Sequence, residues 1–168
     1  MVELIITEKP MAALKIATAL GDSKPIKKTK GKSVYYEITR NKKEILVGCA
    51  VGHLFGLAEK IKSKWGTYPI FDIEWKPKSE IDKNAKYTKS YVTLLKQLGK
   101  KADKFTVATD YDLEGAVIGA NIIREALKQK DAKRMKFSTL TKDELNDSYT
   151  NASKHLDFNM IDAGETRH

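Results

Sequence analysis

The chain has 168 residues, 41% hydrophobic and 32% charged, with a formal net charge of +9 and a sequence pI near 9.4. That suffices for one ordinary domain and a small appendage, and no apolar run reaches the ~20 residues of a bilayer span. The start, Met1-Val2-Glu3-Leu4-Ile5-Ile6, lacks the basic stretch and long apolar run of a secretory signal, so a cytoplasmic protein is expected.

The elements follow in chain order. Residues 4–7 form a short β-rich run ending in Glu8-Lys9-Pro10, and helical spacing follows in Ala13, Ile16, Ala17 and Leu20 up to Gly21. Pro10 suits the first helical turn. Residues 23–32 have loop composition. Residues 34–39 and 44–50 read as two strands joined by a turn at 40–43, a hairpin closed by Gly52-His53-Leu54. The single cysteine, Cys49, excludes an internal disulfide or a cysteine-built zinc site. Its neighbours Leu46, Val47, Ala50 and Val51 mark it as a buried, inert thiol.

Residues 59–86 read as irregular, punctuated by Trp65, Pro69, Trp75 and Pro77, and loops of that length are often functional. A helix is predicted over 88–98, with Tyr91, Leu94, Leu95 and Leu98 on one face. A strand follows at 104–109, then a long helix through Val117, Ile118, Ile122, Ile123, Ala126 and Leu127, then a short strand at 136–140. Thr141 and Glu144 have capping-box spacing before another helix. After about residue 151 the pattern restarts, as if opening another unit. Alternating strands and helices indicate an α/β protein with a mostly parallel sheet.

The segment T-D-Y-D-L-E-G at 109–115 places Asp110, Asp112 and Glu114 at alternate positions after an apolar strand. Alternate side chains of an extended chain share a face, and ligands of open α/β sheets bind beyond the carboxyl ends of the strands. Crowded carboxylates repel until a proton or a cation relieves them, and oxygen-only ligands select a hard ion such as Mg²⁺. A solvated acidic cap on the helix is the bland alternative. An EF-hand is excluded, because Asn121 stands where the closing glutamate belongs and the segment follows a strand. Tyr111 should turn away from the carboxylate face and border the site.

Glu8 and Lys9 end another strand. If the two strands are neighbours, this pair faces the acidic trio, with a carboxylate for proton transfer and an ammonium for phosphate charge.

A strand ending in T-E-K-P and a later one ending in D-Y-D-L-E-G resemble the Toprim domain, a metal-binding module of topoisomerases, bacterial primases and some nucleases. V-G-H-L at 51–54, F-S-T-L-T-K-D-E-L at 137–145 and L-D-F-N-M-I-D-A-G-E-T-R-H at 156–168 are similar to segments of type IA DNA topoisomerases, the archaeal topoisomerase I and topoisomerase III kind above all. Reverse gyrase would place a helicase region ahead of them.

The resemblance implies a Rossmann-like Toprim sheet flanked by helices over residues 1–151, with an inserted hairpin. Residues 152–168 would begin the adjoining helical DNA-binding domain. It implies Mg²⁺, with Mn²⁺ as a possible substitute, at Asp110, Asp112 and Glu114, with Glu8 and Lys9 beside the reacting phosphate. Lys9 would stabilise charge and protonate the departing 3′ oxygen. His53 would lie near bound single-stranded DNA and Arg167 at the edge of the DNA groove. The whole enzyme would relax negatively supercoiled DNA without ATP, in the cytoplasm with the nucleoid, through a tyrosine in a domain beyond residue 168. The fragment alone would be inactive. Two alternatives stay open: a free-standing Toprim nuclease or primase-like enzyme, and a non-catalytic basic nucleic-acid-binding module. A phospho-acceptor receiver domain would need more acidic residues than Glu8 after the first strand.

Overall fold

Leu4, Ile5 and Ile6 are fully buried in succession, which a strand permits only when both faces of its sheet are covered. The computed structural model describes residues 1–60 and 72–168. β1 (Val2–Thr7) leads into α1 (Pro10–Leu20), followed by β2 (Ile26–Lys30), β3 (Ser33–Arg40) and β4 (Lys43–Cys49). A separate antiparallel ribbon, β5 (Phe55–Glu59) and β6 (Ile73–Pro77), precedes the short α2 (Lys78–Ile81) and then α3 (Thr88–Gly99). β7 (Lys104–Ala108) feeds α4 (Leu113–Asn121), which continues as a π-turn over Ile122–Ala126. The remaining elements are β8 (Lys133–Arg134), α5 (Lys142–Thr150) and α6 (Phe158–Glu165). Among the described residues no helix is long and apolar enough to cross a membrane.

The main sheet has the order β2-β3-β4-β1-β7-β8. It is parallel from β4 to β8, and β3 and β2 are added antiparallel at one edge. Ile5, Ile45 and Val47 pack with α1, α5, Met135 and Phe137 on one face, while Leu4, Ile6, Leu46 and Val107 pack with α3 and α4 on the other. The chain leaves β1 towards β4 and later returns to β1 through β7. The carboxyl ends of β1 and β7 therefore flank a switch point of the kind where α/β sheets bind ligands.

The predicted hairpin is present, and its tip residues Asn41 and Lys42 both have positive φ (48° and 63°), the backbone of a two-residue turn that matches strand twist. Four expectations are corrected. Residues 26–30 form an edge strand rather than loop. All five side chains are exposed there, so no alternation betrays it, and its lysines protect the edge from further pairing. The stretch read as irregular contains β6 and α2, and α3 follows it as predicted; its part at 61–71, with Trp65 and Pro69, lies outside the described residues.

The last strand falls at 133–134, not at 136–140. Phe137 is buried as a strand residue would be, but the ladder is taken earlier, where Arg134 bonds both β7 and Ser153. Thr141 caps α5 without a side-chain hydrogen bond, and Glu144 instead accepts from the Ser138 and Thr139 amides and the Thr139 hydroxyl.

Leu156 and Ile161 belong to the core packed under α4. α6 approaches α4 so closely that a Cβ on Gly164 would lie 2.5 Å from Val117 Cγ2. Within the described residues, then, the 152–168 segment is docked on the sheet domain.

Candidate functional site

β1 and β7 are hydrogen-bonded neighbours in register, Thr7 opposite Ala108, so the loops after them meet. Lys9 Nζ stands 2.6 Å from Asp110 Oδ2 and 3.6 Å from Glu8 Oε1. The ammonium thus joins the two loops. Glu8 is mostly covered, and this burial, followed by repulsion from Asp110, raises its pKa above the ordinary carboxylate value. Repulsion from Asp112 acts in the same direction. Lys9 is shifted upward by its hydrogen bond to Asp110 and then by the charge of Glu8.

Beside these residues opens a cleft of about 590 Å³ lined by Lys9, Met11, Asp110, Tyr111, Asp112 and Phe137, among others. It runs along the first turn of α1, whose start at Pro10 is the one read from the sequence. Tyr111 borders the cleft, with the Arg134 guanidinium 5.7 Å and the Lys136 ammonium 5.2 Å from its ring centre.

The three carboxylates of the acidic motif diverge. Asp110 pairs with Lys9. Asp112 is the N-cap of α4, its Oδ1 accepting from the Gly115 amide at 2.7 Å. Glu114 already lies in the first helical turn and turns to His53, whose Nε2 is 2.8 Å from Glu114 Oε2. This hydrogen bond lowers the Glu114 pKa. The alternation argument fails at Glu114 because the helix begins at Leu113. From there successive side chains rotate by about 100°, not 180°. The structure brings Glu8, Lys9, Asp110 and Asp112 together and places Glu114 with His53 beside them.

His53 reaches Glu114 through an unusual stretch of backbone. After β4, Val51 has φ 55° and Gly52 φ 87°. A β-branched residue held in the left-handed region costs about 1–3 kcal/mol. The stretch is anchored to the first loop, since the Ala50 amide donates to Thr7 O and the Gly52 amide to Glu8 O.

Arg167 is exposed near Glu114 and contributes to lowering its pKa. His168, the neighbouring residue, places Nε2 3.5 Å from Glu114 Oε2 and meets the rings of His53 and Trp75 edge-on.

Two groups escaped the sequence reading. One is His168, which was quoted only within a longer segment. The other is Arg134, 2% exposed, whose Nη1 donates to Thr109 O (2.8 Å) and Thr109 Oγ1 (3.0 Å) and whose Nη2 donates to Asp110 O (2.8 Å). Burial lowers its pKa to about 10, which still leaves it charged at neutral pH. Buried cations persist only with such partners. Arg134 therefore fixes the backbone that presents Asp110. Its only signal in the sequence was an arginine amid lysines, between the predicted helix and strand.

The chain matches the family model described as Toprim domain over residues 3–140. It is 47% identical over 168 residues to a Methanocaldococcus jannaschii protein named DNA topoisomerase 1, covering 100% of this chain and 22% of that protein. It is also 47% identical over 167 residues to a Pyrococcus furiosus protein of the same name, covering 98% of this chain and 16% of that one. The chain thus spans about a fifth of the length of these relatives. Among solved structures, full-length topoisomerase I from Thermotoga maritima shares the fold, with a TM-score of 0.58 and 24% identity over 94% of this chain and 22% of that one.

Proposed function

The chain belongs to the Toprim domain family, and from that premise we propose that it forms the metal-binding part of a type IA DNA topoisomerase. Such an enzyme would relax negatively supercoiled DNA in the cytoplasm, at the nucleoid. The observation that carries this reading is the meeting of Glu8, Lys9, Asp110 and Asp112 at the tips of β1 and β7, in an open cleft beside an exposed helix start.

The donor types suit a divalent cation, which would draw the carboxylates closer together than they stand in this structure. Three carboxylates against one ammonium leave an excess of negative charge, and the upward shift of Glu8 comes first from its burial and then from repulsion by Asp110. All of the donors are oxygens, as a hard ion requires. Asp110 and Asp112 would hold Mg²⁺, or Mn²⁺ in its place, with Glu114 joining on turning from His53. The ion would supply positive charge against the oxygens of the scissile phosphate.

A tyrosine oxygen from outside these residues would form a bond to phosphorus as the bond from phosphorus to the 3′ oxygen breaks. Lys9 would stabilise the charge that builds on the phosphate and pass a proton to the departing 3′ oxygen. Glu8 would take the proton that the tyrosine hydroxyl loses and pass it to Lys9, which resets the pair. Arg134 would hold the Asp110 backbone in place. His53 and Arg167 would contact the single-stranded DNA, the arginine through phosphate.

A chimaera tests this reading: residues 1–168 of this chain replace the matching segment of the Methanocaldococcus jannaschii relative. Mg²⁺-dependent relaxation of negatively supercoiled plasmid is expected, and is lost in Lys9→Ala. A folded but inert chimaera overturns the reading. Nicking of DNA by the 168-residue chain alone with Mg²⁺ would replace it with a nuclease.

A further inference from the structure

The carboxylate cleft contains only oxygen donors and one ammonium. A short distance along α4 the chemistry changes. Glu114 Oε2 is approached by two imidazole nitrogens, Nε2 of His53 at 2.8 Å and Nε2 of His168 at 3.5 Å. One ligand atom from each of the three residues lies within 4.8 Å of the others. We propose that His53, Glu114 and His168 form a binding site for a divalent transition metal of the zinc and cobalt type, separate from the carboxylate cleft.

The argument is one of geometry and donor type. Zinc binds imidazole nitrogen and carboxylate oxygen at about 2.0–2.2 Å, so tetrahedral ligand atoms stand roughly 3.4 Å apart. The distances from the glutamate oxygen to both nitrogens already bracket that value. The two histidine nitrogens lie within 4.8 Å of each other, so a small rotation of one imidazole would complete the set. Two imidazoles and one carboxylate leave a fourth position for water, the pattern of open zinc sites. Imidazole nitrogen favours zinc, cobalt, nickel and copper over magnesium, so the two sites would sort ions by donor type.

The three ligands come from different segments: the strained Val51-Gly52 turn, the first turn of α4 and the residues that follow α6. The edge of Trp75 closes one side of His168. Arg167 opposes a cation, but it is exposed and screened by solvent. An ion here would hold Glu114 on the histidine side, away from Asp110 and Asp112. Zinc would thereby restrain the carboxylate that the Mg²⁺ site is proposed to borrow. The site itself does not depend on the topoisomerase reading.

Co²⁺ titration of the 168-residue chain, followed by visible absorption, tests the proposal. About one equivalent should bind with the d–d bands of nitrogen and oxygen ligation, be displaced by Zn²⁺, and resist excess Mg²⁺. His53→Gln and His168→Gln, with folding checked by circular dichroism, should each weaken binding by more than about 100-fold, the upper range for loss of even an outer-shell partner. The double variant Asp110→Asn, Asp112→Asn should keep the bands. Absence of the bands, or their loss in the aspartate variant and survival in the histidine variants, overturns the proposal and shows the cluster to be an ion-free hydrogen-bonded group. Neither outcome bears on relaxation by the chimaera, which tests the cleft.

Discussion

The Lys9 ammonium lies 2.6 Å from the Asp110 carboxylate, although 101 residues separate them in the chain. The contact exists because β1 and β7 are adjacent parallel strands whose ends lie level. The Lys9 side chain is 60% exposed and that of Asp110 39%, so the pair adds little to folding. Exposed pairs are worth about 0–1 kcal/mol.

Loss of this pair should therefore separate stability from chemistry. Lys9→Ala is expected to move the melting temperature of the chain by less than about 4 °C, the shift that 1 kcal/mol produces at this size. In the chimaera the same change should slow strand cleavage by about 10²–10⁴-fold, the range for removal of a positioned proton donor. Calorimetry and a cleavage time course would show both. A large loss of stability with normal cleavage would refute the assignment.

Arg134 should behave in the opposite way. Arg134→Met keeps much of the volume but strips hydrogen bonds from the carbonyls of Thr109 and Asp110. An acceptor left unpaired in the interior costs about 1–3 kcal/mol. The urea midpoint should fall accordingly. Arg134→Lys should not restore it, since an ammonium lacks the planar fork that reaches both carbonyls. Mg²⁺ affinity, measured by calorimetry, should fall with the displaced Asp110.

Gly115 tolerates no side chain. A Cβ there would lie 2.1 Å from Asp110 O, a backbone atom that cannot move without carrying the acidic loop with it. Gly115→Ala should cost about 1–3 kcal/mol or more, the usual range for overpacking. Metal affinity should drop even in conditions where the variant remains folded. Urea titration and calorimetry on one sample would reveal whether the two losses travel together.

Cys49 should be unreactive while the protein is folded. Burial pushes its pKa from 9.0 to about 11, so the thiolate fraction near pH 8 drops by about 100-fold before access is considered. A thiol reagent should label the native chain very slowly and the urea-unfolded chain at once. Rapid labelling of the native protein would contradict the buried position at the end of β4.

Several features were legible because they are written in local periodicity. The buried run of β1, the helical spacing of α1 and α3, and the hairpin with its turn at Asn41-Lys42 repeat on the scale of two to four residues, and the structure keeps them. The acidic motif was visible as well, as carboxylates at the end of a strand. Edge strand β2 was not, because a strand with no buried face carries no alternation.

The sequence by itself determined that Glu8, Lys9, Asp110 and Asp112 follow the ends of two apolar strands, since short-range pattern encodes strand ends. Tertiary structure decided which of them meet. Strand order made Lys9 a partner of Asp110, and the cap at Asp112 began the helix early enough to rotate Glu114 towards His53. Packing of α6 against α4 then brought His168 to the same oxygen. Such meetings depend on strand neighbours and helix phase, which are fixed by burial across the whole sheet and by no segment alone.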